Sequence, residues 1–148
     1  MANIIPNSFR GALFEANHNF KASGGNTFKL SLYTGSIASV YTVSSTVFSA
    51  TNEVSSGGGS NYAVKTLTRN GVVSSTAVAS VDFDNVSYSS ATFTAAFAAI
   101  YNSDTVDSVA NRLVVVLDFG GNKTATNGTF TITFPDPSTA SNAIISMS

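Results

Sequence analysis

A single histidine, His18, and a few carboxylates are the side chains of this 148-residue sequence with the most obvious chemical potential. Acid–base or nucleophilic catalysis needs a histidine held by a partner, or a cysteine or serine activated by a base. The chain has no Cys and no Gly-x-Ser-x-Gly elbow. His18 stands among asparagines and reads as a solvated helix end. Asp82 and Asp84 are two apart, so in a strand they share a face, and paired carboxylates can serve a glycosidase or hold Ca²⁺. A glycosidase sets such a pair across a sugar cleft, usually with aromatic platforms, and Trp is absent. A calcium site needs further oxygens; Asn85 is the nearest, and there is no Asp-x-Asp-x-Asp-Gly loop. A strand end opening into a turn explains the pair more simply.

Asp104 and Asp107 read as loop solvation. Asp118 sits inside a strand-like run, where a partly buried carboxylate needs hydrogen-bond donors. The backbone amides of residues 120–123, or Lys123, are the nearest, and a structural role is expected. The Gly57-Gly58-Gly59 run lacks the Gly-Lys-Ser/Thr ending of a phosphate loop. Three Asn-x-Ser/Thr triplets, at Asn85, Asn122 and Asn127, are what chance supplies in a chain so rich in these residues. These residues predict no enzyme, with no catalytic group, cofactor or metal ligand assigned.

Charged residues make up 10% of the chain and the net charge is −1, against roughly 25% charged residues in ordinary soluble domains. Ser, Thr and Asn fill the polar positions. Such a surface offers little charge repulsion against a protein partner. It also lacks the clustered Lys and Arg that displace counterions from nucleic acid, so direct nucleic-acid binding is not expected. No apolar run approaches ~20 residues, which predicts no membrane span, and MANIIPNSFR does not read as a signal peptide.

The elements that must position these groups are mostly strands. Residues 113–116 (LVVV) form a continuous β-branched run, the pattern of a strand covered on both faces. Phe130, Ile132 and Phe134 alternate with Thr129, Thr131 and Thr133, giving one apolar and one wet face. Gly120-Gly121-Asn122 and Asn127-Gly128 lie between and read as turns, so 113–135 predicts an antiparallel strand pair at the centre of the core. Upstream, residues 1–7 read as an extended arm. Ser8 reads as the N-cap of an amphipathic helix over 9–19, within a helical segment bounded by 8–20.

The β core is expected over 28–148. Its strands fall at 28–33, 62–67 (turned at Asn70-Gly71 into a hairpin with Val72-Val73), 77–83 extended or capped by 86–88, 92–101, and 143–146. Residues 92–101 carry four alanines, and flanking aromatics favour a strand packed closely on a neighbour over a helix. Residues 55–60 form a flexible surface tip, 102–110 a polar loop and 136–141 a turn. About eight strands without alternating helices predict a mainly β single domain, an antiparallel β-sandwich or barrel with one short N-terminal helix.

Several segments, in chain order, together resemble a family of small virion structural proteins of tailed bacteriophages. They are FKLSLYT (28–34), Asn52-Glu53-Val54, the Gly-rich lead into Asn61-Tyr62, VDFDNVSYSS (81–90) with 91–93, AIYN (99–102), VVVLDFGGNKTATNGTFTITFP (114–135) and NAII (142–145). The early segment ending in His18-Asn19-Phe20 fits as well. The chain departs from the pattern in its longer glycine loop at 55–60 and an insertion at 105–110.

The resemblance implies a capsid decoration or cement protein on the outside of an HK97-like shell, made in the host cytoplasm, with the major capsid protein as partner. A tail or head–tail component is the alternative, including a host-recognition or carbohydrate-binding module built on Tyr33, Tyr41 and Tyr88. Symmetric self-association as a dimer or trimer is expected of such a protein. Its capsid contacts would come from Ala2, Asn3, Ile4, Ile5 and Phe9 of the arm, and from Gly57, Gly58, Gly59 and Tyr62 at the tip. Both segments could order on binding.

Overall fold

The computed structural model describes residues 2–74, 78–135 and 143–147. A helix, α1 (Asn7–Phe14), precedes seven strands: β1 (Phe28–Tyr33), β2 (Lys65–Thr66), β3 (Arg69–Ser74), β4 (Ala79–Phe83), β5 (Val86–Asn102), β6 (Arg112–Ile132) and β7 (Ile145–Met147). They form two antiparallel sheets, ordered β2-β1-β5-β6 and β3-β4-β7. Phe28, Leu30 and Leu32 of the first sheet share one core with Phe83 and Ile145 of the second. The Phe28 and Phe83 rings lie 5.7 Å apart across the gap. This is the expected mainly β, antiparallel sandwich-like architecture with one short helix near the N-terminus.

The central pairing differs from the expected one. Residues 113–116 and 130–132 do not face each other; both belong to β6, which runs antiparallel to β5 along its length. The two expected turns are bulges. Ala95 faces Lys123 and Phe97 faces Asp118, so two residues of β5 span five of β6. The surplus is accommodated by Gly120 and Gly121, whose φ values of 71° and 129° are open to glycine at little cost. Asn127, at φ 49°, sits at a smaller shift between Ala91 and Phe93. Positive-φ residues signal a change in chain geometry, and in a long ribbon that change is a kink as readily as a reversal.

The first sheet is covered on both faces, as the unbroken apolar run at 113–116 predicts. Tyr33, Phe97, Leu113 and Val116 pack on the far face under Ile37 and Tyr41, with Ile4 and Phe48 at the margin. Tyr33 and Phe97 stack with centroids 4.8 Å apart at 4°, a pairing worth about 1 kcal/mol beyond burial. Ala95, Ala96, Ala98 and Ala99 are all buried in β5. The strand expected over 92–101 is therefore present, and its small side chains let the cover approach closely.

The expected helix over 9–19 ends at Phe14. Ala16 takes φ 57°, and the Asn17 amide bonds back to Ala12 O at 2.9 Å, turning Asn17, His18 and Phe20 inward. Ser8 is inside the helix, not its cap: Pro6 holds the cap position, and Ser8 Oγ donates to Ser45 O at 2.9 Å. The expected strand over 62–67 contracts to Lys65–Thr66 because Tyr62 is drawn into the core. Asn70-Gly71 is no hairpin turn. It lies within β3, at a register shift between Arg69 and Val72. The last strand is Ile145–Met147. The turn expected at 136–141 and the start of the strand at 77 lie outside the described residues.

Candidate interaction surface

Beyond the end of β1, β5 and β6 continue as a two-stranded ribbon over residues 86–95 and 123–132. Val86, Tyr88, Ala91, Phe93, Phe130 and Ile132 turn into the core. The opposite face carries hydroxyls, as the Phe/Thr alternation predicts. Ser87 and Thr131 pair across the strands at 3.0 Å and Thr94 and Thr124 at 2.7 Å. Lys123, exposed at the inner end of the ribbon, is its one charged residue; none of residues 86–94 or 124–134 is charged. Beside the ribbon, an open cavity of about 680 Å³ is lined by Leu117, Phe119, Phe130, Phe134 and Ile144 among others. The outer edge of β6 is taken at Val116 by Ile4 and at Arg112 by Val47; beyond Val116 it has no strand partner among the described residues.

The residues expected to make contacts divide into exposed and buried groups. Ala2 and Asn3 are exposed and Ile4 and Ile5 half-buried. The arm is tied down: Ile4 bridges Val116, Asn7 N–H donates to Val43 O at 2.9 Å, and the Asp118 amide donates to Asn3 Oδ1 at 2.9 Å. Phe9 is 2% exposed and Tyr62 5%, so both are core residues rather than surface contacts. Gly57, Gly58 and Gly59 are exposed at a loop tip, which Ser60 Oγ closes by donating to Ser55 O at 2.7 Å.

Tyr62 has a structural task. Its hydroxyl accepts the Leu32 amide at 3.1 Å and donates to Glu53 Oε1 at 2.6 Å. Burial, and then the bond to Glu53, push its pKa up. Tyr33, Tyr41 and Tyr88, the rings a carbohydrate platform would use, are all buried. The Tyr33 and Tyr41 hydroxyls meet at 2.8 Å beside Ser49 O; with one proton each, one donates across the pair while the other donates to that carbonyl.

The carboxylates are likewise separated. Asp82 is buried while Asp84 lies past the end of β4, exposed to solvent, so they do not form the same-face pair expected of one strand. Asp104 does more than solvate a loop. It accepts from Asn26 Nδ2 at 3.0 Å and the Thr27 amide at 3.2 Å, and these bonds hold its pKa down against a desolvation penalty. Asp118 Oδ1 accepts the Gly120 amide at 2.9 Å, as its position before the glycines predicts. No group of three or more His, Cys, Asp or Glu side chains could hold a metal ion among the described residues. No helix of the described residues is long and apolar enough to cross a membrane.

His18 is the largest departure from the sequence reading. It is 8% exposed, packed between Phe9, Phe20 and Phe28 with centroids at 5.0, 6.0 and 6.4 Å. Desolvation, followed by the nearby Arg112 charge, lowers its pKa to about 4, so the ring is neutral at pH 7. Asn102 fixes its orientation. Asn102 Oδ1 accepts the Asp104 amide at 3.1 Å, and Nδ2 points at Asn17 O (3.4 Å) and His18 Nδ1 (3.3 Å). The only sequence signal was negative: asparagines flanking a histidine look solvated until a long-range partner, 84 residues away in Asn102, brings them inside.

No family model, curated protein or solved structure matches this chain.

Proposed function

We propose that this chain is a virion structural protein of a tailed bacteriophage, a decoration or cement protein that binds the outside of the capsid and stabilises it. The observation that carries the reading is the placement of the segments resembling that protein family. The first segment, 28–34, contains all of β1, 81–93 and 99–102 enter β4 and β5, and 114–135 includes most of β6 with its bulges. The resemblance thus runs through the strands that build the sheets, not through one loop. The uncharged, hydroxyl-bearing face of the β5–β6 ribbon supports it, since such a face can lie against a large protein surface without desolvating charge. Many weak contacts of this kind gain strength when repeated over a shell. The burial of Tyr33, Tyr41 and Tyr88 counts against a carbohydrate platform built on those three rings.

Co-sedimentation of purified protein with particles stripped of it tests the proposal. The wild-type chain is expected to pellet with them in a saturable way. Thr129→Lys with Thr131→Lys, both on the exposed face, is expected to weaken pelleting at least about tenfold by burying unpaired charge, with the melting temperature little changed. Failure of the wild-type chain to bind any capsid surface would overturn the reading.

A further inference from the structure

A second cavity, of about 280 Å³, opens beneath α1 and is lined by His18, Arg112, Ser8 and Thr46 on its polar side, with Phe9 and Leu113 among its apolar walls. Two nitrogens of this lining, His18 Nε2 and Arg112 Nε, are buried without a hydrogen-bond partner among the described residues. Both are donors. Asn102 presents its amide nitrogen to His18 Nδ1, so Nδ1 accepts and the neutral ring carries its proton on Nε2. The Arg112 guanidinium is always charged. Its Nη2 donates to Val106 O at 3.2 Å, which leaves Nε–H for another acceptor. Val106 and Val109, the latter also in the cavity wall, belong to the 105–110 insertion, so that loop helps to hold the arginine.

Two donors buried in the wall of a small, half-apolar cavity, one of them on a charged group, define the chemistry that would satisfy them once a side-chain movement opens them to it. We propose that the cavity binds a carboxylate on a short aliphatic stem, its oxygens accepting from His18 Nε2–H and Arg112 Nε–H and its stem lying against Phe9 and Leu113. A monoanion balances the guanidinium, whereas a dianion would bury uncompensated charge. The apolar wall favours an organic acid over an inorganic ion. Two sources share this chemistry: a free short-chain acid, and the side chain of an Asp or Glu from a neighbouring polypeptide. The inference is independent of the role proposed above.

The test uses the intact protein at neutral pH and follows the His18 ring ¹H–¹⁵N signals during titration with acetate, butyrate, N-acetylglutamate α-amide and sodium chloride, with thermal melts alongside. Saturable shifts of Nε2–H are expected, with butyrate tighter than acetate. Binding of butyrate but not the glutamate derivative identifies a free acid; binding of the glutamate derivative identifies a protein side chain. Arg112→Lys, which keeps the charge and removes Nε–H, is expected to weaken binding about tenfold. No shift with any carboxylate on the wild-type protein, an equal response to chloride, or unaltered affinity in a folded Arg112→Lys variant would each overturn the proposal.

Discussion

Ile4 and Val116 hold each other in a two-way backbone bridge, each amide donating to the other's carbonyl at 2.9 Å. The first residues of the chain thereby act as a short extra strand on the edge of the four-stranded sheet. An arm that could have ordered on binding a partner is anchored in the chain itself, while Ala2 and Asn3 stay exposed. Deletion of residues 2–5 is expected to cost about 1–3 kcal/mol, from the lost bonds and the exposed Val116 amide. It should also raise self-association by lengthening an open sheet edge. Urea unfolding and sedimentation velocity measure both; unchanged stability and unchanged sedimentation would show that the bridge holds nothing.

His18 links stability to pH. Its folded-state pKa is lowered from 6.5 to about 4, so between those values the unfolded chain binds more protons than the folded one. The stabilisation is complete above pH 6.5 and is lost as pH falls toward 4, by at most about 3 kcal/mol. The Arg112 charge adds to the effect of burial. Urea midpoints measured across this range should drop on the acid side. A histidine ¹⁵N titration with a midpoint near 6.5 in the folded protein would contradict the burial.

Tyr62→Phe removes the acceptor of the Leu32 amide and the donor to Glu53. The buried Leu32 N–H is left without a partner, and a loss of about 1–3 kcal/mol is expected. Hydrogen exchange at Leu32 should accelerate more than at Leu30. Equal protection in the variant would show that the hydroxyl is dispensable.

Gly25→Ala tests the loop between α1 and β1. A Cβ there would stand 2.6 Å from Asn19 O and closer still to Lys21 O, both backbone atoms. The loop cannot yield easily, because the Arg69 guanidinium donates to the carbonyls of Lys21, Ala22 and Asn26. A destabilisation of about 2 kcal/mol or more is expected. Gly24→Ala, with open space around its Cβ, separates crowding from backbone strain, since Gly24 has φ 71° and would suffer from strain alone. A neutral Gly25→Ala variant would contradict the packing.

Periodicity carried most of what was legible in the sequence. The alternation of Phe130 and Ile132 with threonines identified the inward face, and the unbroken run at 113–116 identified a strand covered on both sides. Pairing was not legible. Gly120-Gly121 and Asn127 mark positive φ equally well in a reversal and in a bulge, and only the partner strand β5, long enough to accompany all of β6, decides between them. Burial by distant partners was equally hidden. His18 and Tyr62 look like surface residues in their local sequence, and Asn102 and the Leu32 amide draw them in. The exposed glycines at 57–59 needed no distant partner and were read correctly as a surface tip.

The most direct test of the structural-protein reading is to find the chain on intact particles. Quantitative mass spectrometry of purified virions, with gold-labelled antibody viewed by electron microscopy, should show many copies distributed over the capsid shell. Absence of the chain from the particles, or label confined to the tail, would contradict it.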